Sequence, residues 1–200
     1  MELGARLQRD FYERPVLVVA RDCLGKVLVH ETPEGLAAGR IVETEAYRGP
    51  DDLAAHSANW RKTKRTEVMF GPPAHAYMFL LYGMHWAFNI VAGPEGHPHA
   101  VLVRALEPLH GAELMAARRG ISSKSVTLCN GPGKLCAALG LDRSAYGLDL
   151  CASSLYLTAG ERGPVGRSPR INIDYAGSWV KKPWRFYERG NRYVSVRPRD

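Results

Sequence analysis

No stretch of this 200-residue chain approaches the roughly 18 consecutive apolar residues that a membrane-spanning helix needs, and the N-terminus carries no apolar signal core. Those two absences predict a soluble protein of the cell interior with no membrane among its partners. Cysteine is scarce too. Cys23, Cys129, Cys136 and Cys151 form no CxxC pair and show no Cys/His spacing of a zinc site, which predicts free thiols in a reducing compartment and no zinc or iron–sulfur cluster. Internal repeats and low-complexity linkers are missing as well. With 46% hydrophobic residues, enough to bury one sizeable core, the chain reads as a single domain over 1–200.

Acid is the charge in deficit. The 20 Asp and Glu stand against 27 Lys and Arg, and the formal charge of +7 suits a polyanionic partner, nucleic acid first and an acidic membrane surface second. The bases cluster in Arg61-Lys62-Thr63-Lys64-Arg65 and again as Lys181, Lys182, Arg185, Arg189, Arg192, Arg197 and Arg199. Either cluster taken alone reads first as a solvated, solubilising face.

Pro15 opens a helix-length run, Val16 to Leu24, that stops at Gly25. Lys26 to Glu31 and Leu36 to Tyr47 read as two strands joined by the turn residues Thr32-Pro33-Glu34-Gly35, a hairpin. Gly49-Pro50-Asp51-Asp52 breaks the second strand, and its aspartates can cap a helical turn through Ala54, Ala55 and His56. Ala76 to Leu81 and Trp86 to Ala92 form a second hairpin around Tyr82-Gly83-Met84-His85, with Gly83 easing the tip. Ala100 to Leu106 is a further strand, Gly111 to Arg119 and Lys134 to Leu139 are helices, and short strand-like pieces follow from Leu155 to Val196. The predicted class is α+β around a curved, largely antiparallel sheet.

Glu43, Glu45, Tyr47, Asp51, Asp52 and His56 crowd into fourteen positions, the densest polar constellation in the chain. Alternation along a strand puts Glu43, Glu45 and Tyr47 on one face. Hydrolysis by a carboxylate-activated water is one reading, and a divalent-cation site is a second. Pairing of both glutamates with surface arginines, with His56 a satisfied helix-end residue, is an equally weighted structural alternative. Among the aromatics Tyr77, Phe79, Tyr82, Trp86 and Phe88, hairpin core is the first assignment, but Tyr82 beside the tip glycine is badly placed for burial and suits a wedge into a base stack.

The run Gly39-Arg40-Ile41-Val42-Glu43-Thr44-Glu45-Ala46-Tyr47, followed by Gly49-Pro50 and Ala54-Ala55-His56-Ser57, resembles the alkyladenine (3-methyladenine) DNA glycosylase family. The likeness continues through Leu81-Tyr82-Gly83-Met84, Asn89-Ile90, Val103 to Pro108, Asn130 to Leu135 and Lys182-Pro183-Trp184-Arg185-Phe186-Tyr187, and so spans nearly the whole chain in order.

The resemblance implies a single-domain fold with a protruding β-hairpin, similar to the C-terminal domain of methionyl-tRNA formyltransferase, and no metal or organic cofactor. It implies a monomeric, monofunctional DNA glycosylase of the cytoplasm, nucleoid-associated in a prokaryote. Its partner would be double-stranded DNA containing damaged purines: 3-methyladenine, 7-methylguanine and, more broadly, hypoxanthine and ethenoadenine. By matching positions, Glu45 would deprotonate the attacking water, and Arg104 would hold that water and the phosphate of the flipped nucleotide. Tyr47, His56 and Phe79 would line the base pocket, Asn89 would exclude normal guanine, and Tyr82 would fill the gap left in the duplex. Phe79 stands where relatives commonly carry tyrosine, Asn172 where glycine is expected, and Trp60 in place of a more Gly-rich loop. Glu43 receives no chemical role. Two readings from other classes remain, a non-catalytic nucleic-acid-binding module and a metal-dependent nuclease.

Overall fold

The computed structural model describes residues 3–196, so Arg197 and Arg199 of the second basic cluster lie outside the described residues. Two helices, α1 (Arg9–Tyr12) and α2 (Val16–Asp22), precede a hairpin of β1 (Val27–Thr32) and β2 (Gly35–Arg48). A second hairpin, β3 (Ala76–Leu81) and β4 (His85–Ala92), leads into β5 (His99–His110). Next come α3 (Ala112–Arg119), α4 (Pro132–Leu139), β6 (Leu155–Thr158), β7 (Val165–Ser168) and β8 (Arg185–Glu188). The eight strands make one sheet in the order β3-β4-β5-β2-β1-β6, with β8 joined to β2 and β7 to β8. Every pairing among them is antiparallel.

Strand β2 is the spine. One edge pairs with β5 from Ala38 to Arg48; the other is divided between β1, as far as Arg40, and β8, over Glu43 to Glu45. The β2–β5 ladder slips twice in succession. Ile41 pairs with Leu106 but Glu43 with Ala105, leaving Val42 over, and Thr44 then pairs with Val103, leaving Arg104 over. Such bulges bend a strand and re-aim its side chains. Here they exchange the parity of the two faces: Ile41 belongs to the main core but so does Ala46, while Val42 and Ala105 pack together on the opposite side.

The main core lies between one face of the sheet and the helices, drawing Val19 and Ala20 from α2, Met115 from α3, and Leu135 and Leu139 from α4. Helix α3 starts at Gly111, whose φ is +70° and where a Cβ would stand 2.2 Å from the Leu36 carbonyl oxygen, so the entry requires glycine. Helix α4 opens on proline, which gives up no hydrogen bond at a first helical position. Among the described residues no helix is long and apolar enough to cross a membrane.

The tip of the β3–β4 hairpin turns through Tyr82 (φ +52°) and Gly83 (φ +71°), closed by the Met84 N–H on the Leu81 carbonyl at 3.0 Å. Tyr82 is 77% exposed, whereas Phe88 on the same hairpin is fully buried. Phe88→Ala should therefore cost about 3–5 kcal/mol of stability, and Tyr82→Ala no more than about 0.5 kcal/mol. Urea unfolding of the two variants beside the wild type checks the contrast, and comparable losses would place Tyr82 in the core.

Candidate active site

Glu43 is buried on the face of β2 opposite the helices, and four donors converge on it. Its Oε1 accepts from Arg185 Nε at 2.7 Å, Arg104 Nε at 2.9 Å and Ser195 Oγ at 3.0 Å; its Oε2 accepts from the Ser195 backbone N–H at 2.6 Å. Arg185 also donates to Ser168 Oγ (3.0 Å) and to the Val196 carbonyl. One carboxylate thereby connects β2 with β5, β8 and the C-terminal segment, and through Arg185 with β7. The structural reading that paired the glutamates with surface arginines is corrected on one point: Arg104 and Arg185 are buried. Arg185 likewise drops out of the surface cluster in which the sequence placed it.

Two residues on, Glu45 is also fully buried. Its Oε1 accepts from the Ile171 backbone N–H (2.7 Å), and its Oε2 from the Tyr47 hydroxyl (2.8 Å), with Arg104 Nη1 at 3.4 Å. Burial and the adjacent Glu45 charge raise the Tyr47 pKa well above its ordinary value, so the hydroxyl stays protonated and donates. Burial opposes the charge on Arg104, yet the carboxylates of Glu45 and Glu43 outweigh it and raise its pKa. The acidic pair is thus compensated by guanidinium groups, and among the described residues no three His, Cys, Asp or Glu side chains gather as a metal site.

Arg170 and Asp52, both without exposed side-chain surface, tie the site together from behind. Their contact is bidentate, with Arg170 Nη2 on Asp52 Oδ1 at 2.9 Å, and Arg170 Nη1 also donates to the Ala46 carbonyl at 2.9 Å. The guanidinium lies 4.7 Å from the centre of the Tyr47 ring, and the next residue in the chain is the Ile171 that donates to Glu45. Asp52 accepts the Arg48 and Ala54 backbone N–H groups as well, at 3.1 and 3.0 Å, which fixes the path from the end of β2 to His56. That path is a series of turns and not the helical turn expected from sequence.

A cavity of about 340 Å³ is lined by Tyr47, His56, Phe79, Tyr82, Asn89 and Arg104, together with Ile171 and Tyr175. Six of the seven residues singled out by the resemblance face this one space; the seventh, Glu45, lies beneath it against Tyr47 and Arg104. The His56 and Phe79 rings meet edge to face at 4.5 Å. His56 Nδ1 stands 2.8 Å from the Tyr77 hydroxyl, and Arg65 Nη2 lies 3.2 Å from Nε2. Arg65 Nη2 is also 3.4 Å from Nδ1, so the guanidinium stands over the imidazole and not on the lone pair of one nitrogen. Burial, then Arg65 and Arg61, depress the His56 pKa to about 4. Asn89 is buried with its amide nitrogen donating to the Tyr77 carbonyl at 3.2 Å.

Sequence reasoning missed the Asp52–Arg170 pair, the role of Tyr77 behind His56, and Ile171. Asp52 stood in the polar constellation, but nothing local marked Arg170 as its partner. The Ile171 donor is a backbone group that every non-proline residue possesses, so it left no signal at all.

A family model described as Methylpurine-DNA glycosylase matches residues 10–192. Similar chains include three proteins named "Putative 3-methyladenine DNA glycosylase". The one from Desulfitobacterium hafniense is 50% identical, covering 96% of this chain and 99% of its own length. That from Methanocella arvoryzae is 48% identical over 96% of each chain, and that from Bacillus cytotoxicus 46% identical over 92% of this chain and 97% of its own.

Glu43→Ala leaves two buried guanidinium groups short of a counter-charge and should cost about 3–5 kcal/mol in urea unfolding; a loss under about 1 kcal/mol would mean that the knot is dispensable. A second expectation concerns His56. Its native pKa of about 4 lies below the ordinary 6.5, so between these values the unfolded chain binds a proton that the native state refuses. Its contribution to stability is complete above pH 6.5 and is lost as pH falls toward 4. An NMR titration should find His56 neutral at pH 6, with the pKa rising in Arg65→Gln; a value near 6.5 in both proteins refutes the assignment.

Proposed function

The chain belongs to the methylpurine-DNA glycosylase family, and from that premise we propose that it flips alkylated or deaminated purines out of duplex DNA and hydrolyses their bond to deoxyribose with a water activated by Glu45. The observation that carries this reading is a buried carboxylate engaged by three residues of the wall of an aromatic-lined cavity, Tyr47, Arg104 and Ile171. At about 340 Å³ the space falls within the roughly 300–1,000 Å³ of small-molecule sites.

In the proposed reaction water attacks C1′ as the purine departs, and Glu45 takes the proton. Departure builds oxocarbenium character on the sugar, which an ionised carboxylate stabilises. Each Glu45 oxygen retains a free lone pair beside its protein donors, so water can donate to it while Tyr47 and Ile171 hold the carboxylate in place. Arg104 sets a positive charge 3.4 Å from Glu45, and the N–H groups it does not direct at Glu43, Ser195 and Glu45 are those offered to the water and to the phosphate of the flipped nucleotide.

A purine methylated at N3 or N7 carries positive charge and leaves without an acid. The rings of Tyr47 and Phe79 suit it by stacking and cation–π attraction, and a neutral His56 adds no opposing charge at pH 7. Phe79 keeps the stacking face without a hydroxyl, and Asn89, held against the Tyr77 carbonyl, crowds the edge where guanine carries its amino group. Tyr82, exposed at the hairpin tip, fills the space of the extruded nucleotide. Among the residues that line the cavity the cation is Arg104, a guanidinium and not an amine, which fits release of a free base and an intact abasic strand.

Single-turnover assays on duplex containing 7-methylguanine provide the test. Release of free base without strand cleavage, undiminished by a chelator, separates this reading from both a binding module and a metal-dependent nuclease. Glu45→Gln should retain damaged-DNA affinity and lose at least roughly a hundredfold in rate; a rate within a fewfold of wild type removes Glu45 from its role.

A further inference from the structure

The segment Asn59–Arg65, of which the proposed reaction uses only Arg65 beside His56, carries three features that bear on one ligand. The first is an aromatic in an unusual place. Trp60 is 57% exposed, and it and Asn59 occupy consecutive left-handed conformations at φ +59° and +54°, a region that residues with a Cβ adopt only against strain. The second is uncompensated charge. Arg61, Lys62, Lys64 and Arg65 are all exposed, and among the described residues none lies within 4.0 Å of a carboxylate. The third is a hollow of about 430 Å³, lined by Arg61, Thr63, Arg65 and Tyr175 and meeting the first cavity at Ala54 and His56.

The loop is rigid despite its exposure. The Asn59 N–H donates to the Pro50 carbonyl (2.9 Å), the Thr66 hydroxyl receives the Thr63 N–H (2.9 Å) and donates to the Arg61 carbonyl (3.0 Å), and the Tyr146 hydroxyl donates to the Lys64 carbonyl (3.2 Å). A half-exposed indole on a fixed, strained backbone, followed in the chain by four exposed cations, is a preorganised stacking platform.

We propose that this loop binds an unpaired nucleotide of the DNA strand adjoining the cavity, with its base stacked on Trp60 and its phosphates on Arg61 and Lys64. The occupant is single-stranded DNA and not duplex, because the flat face of a base is free to stack only where its neighbour has been removed. The inference goes beyond the proposed catalysis and concerns binding alone, so it stands or falls independently of base release.

Fluorescence-anisotropy titrations of an undamaged 12-mer single strand and of the corresponding blunt duplex, at one fixed salt concentration, test it. Trp60→Ala should weaken single-strand binding about tenfold, in keeping with the loss of one base–aromatic stack, and change duplex binding less than twofold. Trp60→Phe should restore most of the loss, and Trp60→Gly, which suits the left-handed backbone, should behave as alanine does. Lys64→Gln should reduce the salt slope on the single strand by about 0.7. Unchanged single-strand affinity in Trp60→Ala, or an equal loss on both DNAs with phenylalanine failing to rescue, overturns the proposal. Thermal melting of each variant shows whether the fold is retained. If alanine alone unfolds, the glycine and phenylalanine pair decides the matter.

Discussion

A carboxylate with no exposed surface and four protein donors, Glu43, is the constraint on which the rest of this structure depends. Left alone, an ion so placed would forfeit several kcal/mol of hydration. It is held by two guanidinium groups and both donors of Ser195, so its burial is possible only when β2, β5, β8 and the C-terminal segment are all in place. The same knot pins Arg104, and through Arg104 it sets the distance to Glu45. A residue given no chemical role thus helps to place the proposed base.

The double bulge between β2 and β5 is the backbone counterpart of that knot. Without it, strict alternation would carry one set of positions into the helix-covered core along the whole length of both strands. By leaving Val42 and Arg104 unpaired, the ladder turns Glu43, Glu45 and Tyr47 away from the core and aims Arg104 at both acids. Fold and site are not separable here, since the irregularity that bends the sheet also assembles the charge cluster.

Charge is managed differently in the two halves of the cavity. On the β2 side, acids and guanidinium groups compensate one another at close range, and the Tyr47 hydroxyl is kept neutral by burial and by Glu45. On the hairpin side, His56 is held neutral between Tyr77 and Arg65 with its ring against Phe79. On the proposed reading, aromatic walls on one flank and the Glu45 carboxylate on the other would take a flat, electron-poor guest.

The amino-acid sequence by itself determined the elements of this protein and much of its site. Period-two patterning marked both hairpins and put Glu43, Glu45 and Tyr47 on one face, the tip glycine marked the exposure of Tyr82, and block-by-block resemblance selected the residues that line one cavity. All of these are local properties, written in the spacing of neighbouring side chains. What only the tertiary structure decided is partner choice across long separations. Arg170 finds Asp52 across 118 positions and Arg185 finds Glu43 across 142, through bulges that no local pattern announces. The physical reason is that a buried charge constrains the number and kind of its partners but not their place in the chain, and that a backbone N–H such as that of Ile171 is the same at every position until the fold brings one of them to Glu45.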